Sequence, residues 1–358
     1  MTSLLSLQAG KKALQHIHQE GLHAKDINAV FGASGAAKWL AIYGLDRAIF
    51  SNWLTQTEQP VTLFGTSVGA FKLAAACRDN PAQALDQLAS AYTEQSYQDG
   101  DVSADRISTE TKKILATISN NGGVEEILSH PTLRFNCGAV KTCDAMAINQ
   151  SKRQKLALAK AFLQSFQGRK GYGKQLQRAI FHHPLGEHVM QGVDHIITHH
   201  VQLDPNNFED ALLASGSIPG LMHGIVYPAG APEGTYFDGG MLDYHPVPAY
   251  LGLTEGLVLY PHFYQHLIPG WFDKFFTSRY ASAELLDNVI MISPSDYMVS
   301  QLPDGKIPDR KDFITFQDND QQRQKNWRIA MDLSRQLGDE FLELVNSDNF
   351  AAQLQPFP

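Results

Sequence analysis

The sequence predicts an α/β fold of three layers, with a mostly parallel central sheet between helices and with extra helices added to it. The main observation is that a strand, a turn of small residues and a helix occur in this order twice within the first 80 residues. The first unit spans 26–50 and the second 61–78. This alternation is typical of parallel sheets with helical crossovers. The composition, 43% hydrophobic and 18% charged, is that of a globular chain.

The other elements follow from hydrophobic periodicity and turn residues. Helices are predicted over 7–21, 36–50, 68–78, 82–98, 105–129, 151–168, 173–182, 207–214 and 326–345, and strands over 26–31, 61–64, 132–137, 195–203, 235–238, 256–260 and 288–292. The polar segment 301–325 is expected at the surface. Since no linker is evident, we expect a single domain over 1–358. Its motifs fall within 27–245, and a C-terminal helical elaboration covers about 300–358.

Composition also excludes several classes of function. The net charge of −8 argues against a nucleic-acid partner, which requires a basic surface. No run approaches the roughly 18 apolar residues of a membrane span, and the first residues lack the basic start of a signal peptide. Cys77, Cys137 and Cys143 do not form a disulfide framework. We therefore expect a cytoplasmic protein without a transmembrane segment, whose oligomeric state the sequence leaves open.

The first candidate for chemistry is a serine between two glycines. Gly65, Ser67 and Gly69 form a G-x-S-x-G pattern that follows an apolar strand and precedes a helix. Small residues at these positions let the strand and helix pass closely, so that a sharp turn exposes the serine hydroxyl. The helix also directs free N–H groups toward that point. The alternative interpretation is a tight turn in which Ser67 only caps the helix.

A second small-residue turn follows the preceding strand. It consists of Gly32, Ala33, Ser34 and Gly35, and in a parallel sheet it lies at the same edge as Ser67. Its unshielded N–H groups are candidate donors for an oxyanion hole. A dinucleotide-binding turn is the alternative, but the spacing is not G-x-G-x-x-G and no acidic residue ends the second strand.

A nucleophilic serine needs a base. The chain has fourteen histidines, none in a compelling context. Asp238 is a better candidate, because it ends an apolar strand and is followed by Gly239 and Gly240, which leave its surroundings open. Burial among apolar neighbours raises the pKa of a carboxyl group and makes it a stronger base. An ordinary Asp-Gly turn is the alternative for this stretch.

Together these motifs resemble the patatin-like phospholipase family, whose members carry a glycine-rich oxyanion loop, a G-x-S-x-G serine and a distant D-G-G or D-G-A aspartate. The segment 214–220, A-S-G-S-I-P-G, is similar to the family's AS-x-x-IPG segment. The segments occur in the family's order over 32–240, more than half of the chain. One departure is that Ala33, Ser34, Ala36 and Ala37 replace loop glycines, while Lys38 stands where the family has a basic residue.

The resemblance implies a lipid acyl-ester hydrolase of the phospholipase A or lysophospholipase type. Ser67 would act as nucleophile and Asp238 as base, through an acyl-serine intermediate, with no metal and no cofactor. The residues 32–35 would hold the oxyanion. Calcium independence is expected, because the chain has no room for the separate membrane-binding domain of the calcium-dependent relatives.

Two alternatives stay open at this stage. One is a Ser-His-Asp hydrolase of the α/β-hydrolase type, in which His245 or His262 follows Asp238 or Asp243. The other is a catalytically inactive lipid- or protein-binding module with the same fold.

The stretch 267–276 bears on lipid contact, because it is dense in aromatic residues and contains one lysine, Lys274. If exposed, it would make transient contact with a membrane surface. If buried, it would be ordinary packing, which is favoured because aromatic residues dominate cores.

Overall fold

The computed structural model describes residues 2–97, 101–142, 151–173, 175–186, 190–317, 319–347 and 349–358. Within these residues one large sheet lies between helices, so the predicted three-layer α/β fold with a mostly parallel sheet is confirmed. Its strands are β1 Leu5–Ala9, β2 Ile27–Gly32, β3 Val61–Thr66, β4 Leu133–Thr142, β5 Leu176–His182, β6 Thr198–Gln202, β7 Ile225–Val226, β8 Thr235–Asp238, β9 Leu257–Pro261, β10 Val289–Pro294 and β11 Gln355–Pro356.

The strand order across the described sheet is β11-β1-β10-β9-β2-β3-β4-β5-β6. The five central strands from β10 to β4 are mutually parallel. Every residue of β3 is buried, as expected for a parallel strand that is covered on both faces. The carboxyl ends of β2 and β3 therefore meet at one edge, with Gly32 opposite Gly65.

The helices are α1 Lys11–Glu20, α2 Tyr43–Ala48, α3 Val68–Ala76, α4 Pro81–Glu94, α5 Ala104–Ser119, α6 Gly123–Ser129, α7 Ser151–Ser165, α8 Arg169–Tyr172, α9 Phe208–Gly216, α10 Asp296–Gln301, α11 Asp312–Thr315, α12 Asp320–Asn346 and α13 Phe350–Gln353. All residues of α3 are buried, because it packs on β3 and is covered by α4. The long α12 lies against α2, and its apolar side faces the core through Trp327 and Phe341.

Several predicted elements are wrong in type or extent. The segment 173–182, predicted as a helix, contains the strand β5, which hydrogen bonds to β4 on one side and β6 on the other. The helix predicted over 7–21 is the strand β1 followed by α1, separated at Gly10. The helix predicted over 105–129 is interrupted at Gly122, which has a positive φ of 80°. In each case pairing or a turn overrides local helix propensity.

The segment 36–50 is helical but irregular. It begins as a 3-10 helix over Ala36–Ile42, continues as α2 and ends in a π-helical turn over Ile49–Trp53. The surface segment predicted over 301–325 includes a 3-10 turn over Pro303–Gly305, the whole of α11 and the start of α12.

The strand β8 is placed unusually in the sheet. It runs antiparallel to β4, and it pairs with the far half of β4, beyond the point where β3 ends. Thr66 at the end of β3 is opposite Gly138, whereas Asp238 at the end of β8 is opposite Ala139. The two strands thus point at each other along the same edge of β4. This arrangement brings the residue after β3 and the last residue of β8 together.

Cys77 and Cys137 are free and buried, and Cys143 lies outside the described residues.

In the described part of the chain, no helix combines the length and the apolarity that crossing a membrane requires.

Candidate active site

Ser67 occupies a strained turn between β3 and α3. Its φ of 54° and ψ of −131° lie in a region that residues other than glycine rarely adopt. Glycines make this turn sterically feasible. A Cβ added to Gly65 would lie 2.5 Å from the carbonyl oxygen of Gly69, and one added to Gly69 would lie 2.2 Å from that of Gly32. Gly65 therefore allows α3 to approach the end of β3, and Gly69 allows α3 to approach the end of β2.

The serine and aspartate motifs are brought together as the sequence predicts. Ser67 and Asp238 line the same cavity and are 9% and 8% exposed. The Ser67 side chain is among the groups that lower the pKa of the Asp238 carboxylate. Burial acts in the opposite direction and dominates, so the pKa of Asp238 is raised to about 6. The carboxylate is therefore a base suited to neutral pH.

The two glycines after Asp238 have separate structural roles. The N–H of Gly240 donates to Asp238 Oδ1 at 2.7 Å, which fixes the carboxylate. A Cβ at Gly240 would lie 2.5 Å from Ser34 Oγ. A Cβ at Gly239 would lie 2.2 Å from the carbonyl oxygen of Gly138 in β4. Both positions thus require a residue without a side chain.

The segment 214–220 holds the backbones of both motifs. The N–H of Ser67 donates to Ser215, to its carbonyl at 3.1 Å and to its hydroxyl oxygen at 3.0 Å. The N–H of Asp238 donates to the carbonyl of Ser217 at 2.8 Å. Ser215 also donates its hydroxyl to the Gly138 carbonyl, 2.7 Å away. One short segment therefore sets the position of the serine relative to the aspartate.

The predicted oxyanion loop contributes to the cavity only through its second half. Gly32 ends β2, and neither it nor Ala33 lines the cavity, whereas Ser34 and Gly35 do. The N–H of Ser34 donates to the Tyr244 carbonyl at 2.8 Å, so it is not available to a substrate.

The residue that follows the predicted loop, Ala36, also lines the cavity and has a positive φ of 51°. In the part of the chain that the structure describes, the N–H groups of Gly35 and Ala36 donate to no protein acceptor. They are the candidate oxyanion donors of this loop.

The loop that follows Asp238 is held by a buried group of two arginines and two aspartates. Arg178, fully buried on β5, donates to Asp243 at 2.7 and 2.9 Å and to Asp194 at 2.7 and 2.9 Å. Arg169 donates to both carboxylates as well. The carbonyl of Asp243 accepts from the Thr66 hydroxyl at 2.7 Å. The group thus connects the loop to the end of β3, one residue before Ser67.

The two histidines considered as alternative bases lie away from the cavity. His245 and His262 are both fully buried, and their rings are 4.3 Å apart. Burial lowers the pKa of each ring, so both are neutral. Among the described residues that line the cavity with Ser67 there is no histidine.

The cavity encloses about 800 Å³, open solvent at its mouth included. Its apolar wall comes from Ile218, Pro219, Met241, Tyr244 and Trp271. Its charged wall consists of Lys38, Lys274, Asp309, Arg310 and Lys311. Sequence reasoning singled out Lys38 and, as part of the stretch 267–276, Lys274, but it did not place Lys274 in the cavity. It missed Asp309, Arg310 and Lys311, because they lie in a segment that carries no recognisable motif.

The aromatic stretch 267–276 is partly buried and partly exposed. Leu267 and Phe272 are buried in the core, whereas Phe275 is 71% exposed. Its ring contacts that of Phe162 on α7, near Phe166, which is also exposed. An exposed apolar patch, formed by Leu163, Phe166 and Phe275, thus lies close to Lys274 and the cavity.

No protein-family model matches this chain, and no curated protein matches it either.

Proposed function

We propose that this protein is a serine acyl-ester hydrolase that acts on lipids, of the phospholipase A or lysophospholipase type, and that Ser67 and Asp238 form its catalytic dyad. The observation that carries the proposal is the strained serine that shares a cavity with a buried aspartate of raised pKa. Strained backbone, a nucleophile and a base tuned toward neutral pH are features that cluster at catalytic sites.

The proposed reaction has two halves. In the first, Ser67 Oγ attacks the ester carbonyl carbon while Asp238 takes the hydroxyl proton. The bond from carbon to the alcohol oxygen then breaks, and the alcohol leaves with the proton from Asp238. In the second half, water attacks the acyl-serine, Asp238 takes a proton from the water, and Ser67 regains it as the acid departs. Each half returns Asp238 to its carboxylate form, and the second half also frees Ser67.

Negative charge on the carbonyl oxygen needs donors in both halves. The free N–H groups of Gly35 and Ala36 serve this purpose in the proposal, together with those of Val68 and Gly69, which precede the first hydrogen bond of α3. This refines the loop predicted over 32–35, because the Ser34 N–H is already engaged.

The lipid class of substrate has its own support. The cavity wall near Ser67 is apolar at Ile218, Pro219 and Met241, as an acyl chain requires. The exposed patch of Leu163, Phe166 and Phe275 would contact a lipid surface next to the mouth, where Lys274 favours anionic lipid. We propose only transient membrane contact, since the patch is small.

The alternative Ser-His-Asp mechanism is disfavoured by two contacts. Asp243 is occupied by Arg178 and Arg169, so its carboxylate is not free to orient a histidine. His245 Nδ1 accepts from the Ile268 N–H at 2.9 Å, inside the core.

The test is an acyl-ester panel of increasing chain length, measured for wild type, Ser67→Ala and Asp238→Asn. We expect both variants to lose at least 1,000-fold in kcat, roughly the order of loss seen when a catalytic nucleophile is removed. Equal rates for the three proteins would refute the proposal. A serine-directed fluorophosphonate should label wild type but not Ser67→Ala, and failure to label wild type would favour the inactive binding module.

A further inference from the structure

Four positive side chains surround the mouth of the cavity that contains Ser67. Lys38 follows the loop after β2, Lys274 belongs to the 3-10 turn Trp271–Phe275, and Arg310 and Lys311 precede α11. They come from three separate parts of a chain whose net charge is −8. Their convergence on one cavity is therefore not a consequence of overall composition.

Three of these cations form no ion pair within the described protein, although Asp238 and Asp309 line the same cavity. Across the described residues, no carboxylate lies within ion-pair distance of the side chains of Lys38, Lys274 or Arg310. The nearby acid, Asp309, pairs with Lys306 at 3.5 Å, and its carboxylate also accepts from the Lys311 N–H at 2.7 Å. The cavity thus holds more positive charge than the protein itself neutralises.

Partial burial makes this arrangement costly in the absence of a ligand. The pKa of Lys38 is lowered by burial, and that of Lys274 is lowered to about 7 by burial and by the charges of Lys38 and Arg310. Unpaired buried charge destabilises a fold, so an anion that enters the cavity recovers free energy that the folded protein has lost.

The positions of two of these cations are fixed by their surroundings. Lys274 Nζ lies 3.6 Å from the centroid of the Tyr244 ring, a cation–π contact. The loop of Arg310 is anchored by Asp312, which accepts from the Asp309 N–H at 3.1 Å and from Trp327 Nε1 at 2.8 Å. The C-terminal elaboration thereby supplies part of the cavity wall.

We propose that Lys38, Lys274 and Arg310 form a subsite for a phosphate monoester carried by the alcohol part of the substrate. This inference rests on the proposed function of the Ser67–Asp238 dyad. Several convergent cations match the double charge and the three oxygens of such a phosphate better than the single charge of a carboxylate.

The same geometry argues against a choline or ethanolamine head group. The ammonium of such a group needs a free carboxylate or an open aromatic face. The Tyr244 face is taken by Lys274, which also lies 5.6 Å from the centroid of the Trp271 ring, and Asp309 is paired with Lys306. The substrate class is therefore an acyl ester of a phosphorylated alcohol with an unsubstituted phosphate, such as a 1-acylglycerol 3-phosphate.

The first experiment measures binding without catalysis. Glycerol 3-phosphate is titrated into Ser67→Ala by calorimetry, with glycerol as the uncharged control. We expect saturable binding of glycerol 3-phosphate that weakens with salt, and none of glycerol. Lys274→Met and Arg310→Gln, each added to Ser67→Ala, should weaken binding at least tenfold, whereas Lys274→Arg restores it. Lys325→Gln, which removes an exposed cation from α12, is the matched control.

The second experiment compares kcat/KM of wild type for three esters with one acyl chain: 1-acylglycerol 3-phosphate, its phosphocholine counterpart and 1-acylglycerol. We expect the first to be preferred at least tenfold, and Arg310→Gln to remove the preference while Lys325→Gln keeps it. If the wild type hydrolyses the three esters without this preference, the subsite is refuted but the dyad is not. The same holds if glycerol 3-phosphate does not bind to Ser67→Ala. Phosphate binding without any hydrolysis would support the subsite and refute the dyad.

Discussion

Thr66 is the last residue of β3 and Asp238 is the last residue of β8, and the two strands meet head to head. On the neighbouring strand β4, Thr66 lies opposite Gly138 and Asp238 lies opposite Ala139. Successive residues of β4 fix these two positions, so the distance between the proposed nucleophile and the proposed base follows from the sheet register. A slip of one residue in the β4–β8 pairing would turn the Asp238 side chain to the opposite face. The register of a short antiparallel strand is thus a condition for the proposed chemistry.

The first prediction is that the burial of Asp238 makes the free energy of unfolding depend on pH. The pKa of an unperturbed aspartate is 3.8 and that of Asp238 in the folded protein is about 6, so the folded state binds the proton more tightly. Stability is therefore lost as the pH rises through this range, up to about 3 kcal/mol at about 1.4 kcal/mol per pKa unit. Asp238→Asn avoids this loss and should unfold at higher urea than wild type at pH 8, with the difference vanishing below about pH 4.

The control for this measurement is Asp332→Asn, at an exposed position on α12, which should change the free energy of unfolding by less than about 0.5 kcal/mol. If Asp238→Asn is less stable than wild type at pH 8, the carboxylate is stabilised by contacts that outweigh its burial, and its proposed role as a tuned base fails.

A second prediction concerns the buried histidines. His245→Asn keeps an acceptor for the Ile268 N–H, which now donates to the ring over 2.9 Å. We expect a loss of about 1–3 kcal/mol in stability from poorer packing against His262, and a kcat for ester hydrolysis within about threefold of wild type. The measurement pairs urea unfolding with steady-state kinetics. A fall of 100-fold or more in kcat at unchanged fold would instead support a histidine base.

The alternation of strands and helices allowed the central part of this fold to be predicted. The strands β2 and β3 are apolar over most of their length and end at small residues, so their positions and shared edge follow from local pattern. The strand β5 was missed, because its sequence L-Q-R-A-I-F-H has helical propensity and becomes a strand only through pairing with β4 and β6. Long-range pairing has no local signal.

The residues of the candidate site also include some that local sequence pattern predicts and some that it does not. The proximity of Ser67 and Asp238 was predictable because each lies in a glycine motif, and Gly65, Gly69 and Gly239 stand where a Cβ would clash with a neighbouring backbone. Arg310 was not predictable, because its place in the cavity depends on how the C-terminal elaboration folds back on the sheet. The role of Lys274 was not predictable either, because it depends on how the turn Trp271–Phe275 packs against Tyr244. The contact that anchors the loop of Arg310, from Trp327 to Asp312, joins residues that no motif connects.

The buried arginine group provides a third prediction. Arg178 is fully buried between the carboxylates of Asp194 and Asp243, so Arg178→Met leaves two buried acids with only Arg169 as partner. We expect a loss of about 3–5 kcal/mol in the free energy of unfolding. Arg47→Met is the matched control, since Arg47 pairs with Asp86 at 3.0 Å but the two side chains are 34% and 38% exposed. Arg47→Met should lower the free energy of unfolding by at most about 1 kcal/mol.

Equal losses for the two variants would contradict this interpretation of the buried group. We also expect Arg178→Met to lower kcat, because Asp243 holds Thr66 next to the nucleophile.

The last prediction is a difference in pH dependence between two esters. Asp238 must be ionised to act as base, so kcat/KM for any ester should rise as the pH passes about 6. Lys274 loses its proton above about 7, so kcat/KM for a 1-acylglycerol 3-phosphate should then fall, whereas that for the neutral 1-acylglycerol stays level. The groups that act on Lys274 are Lys38, Arg310, Asp238 and the rings of Tyr244 and Trp271.

The alkaline fall in kcat/KM for the phosphate ester reflects the ionisation of Lys274 in the free enzyme, because bound phosphate raises the pKa of Lys274 and keeps it charged. It should therefore appear in kcat/KM and be absent from kcat. Lys274→Arg replaces the ammonium with a group that stays charged over the whole range, so its profile for the phosphate ester should lose the alkaline fall and keep the rise near pH 6. An alkaline fall that persists in Lys274→Arg, or that is equal for both esters, would assign it to another group.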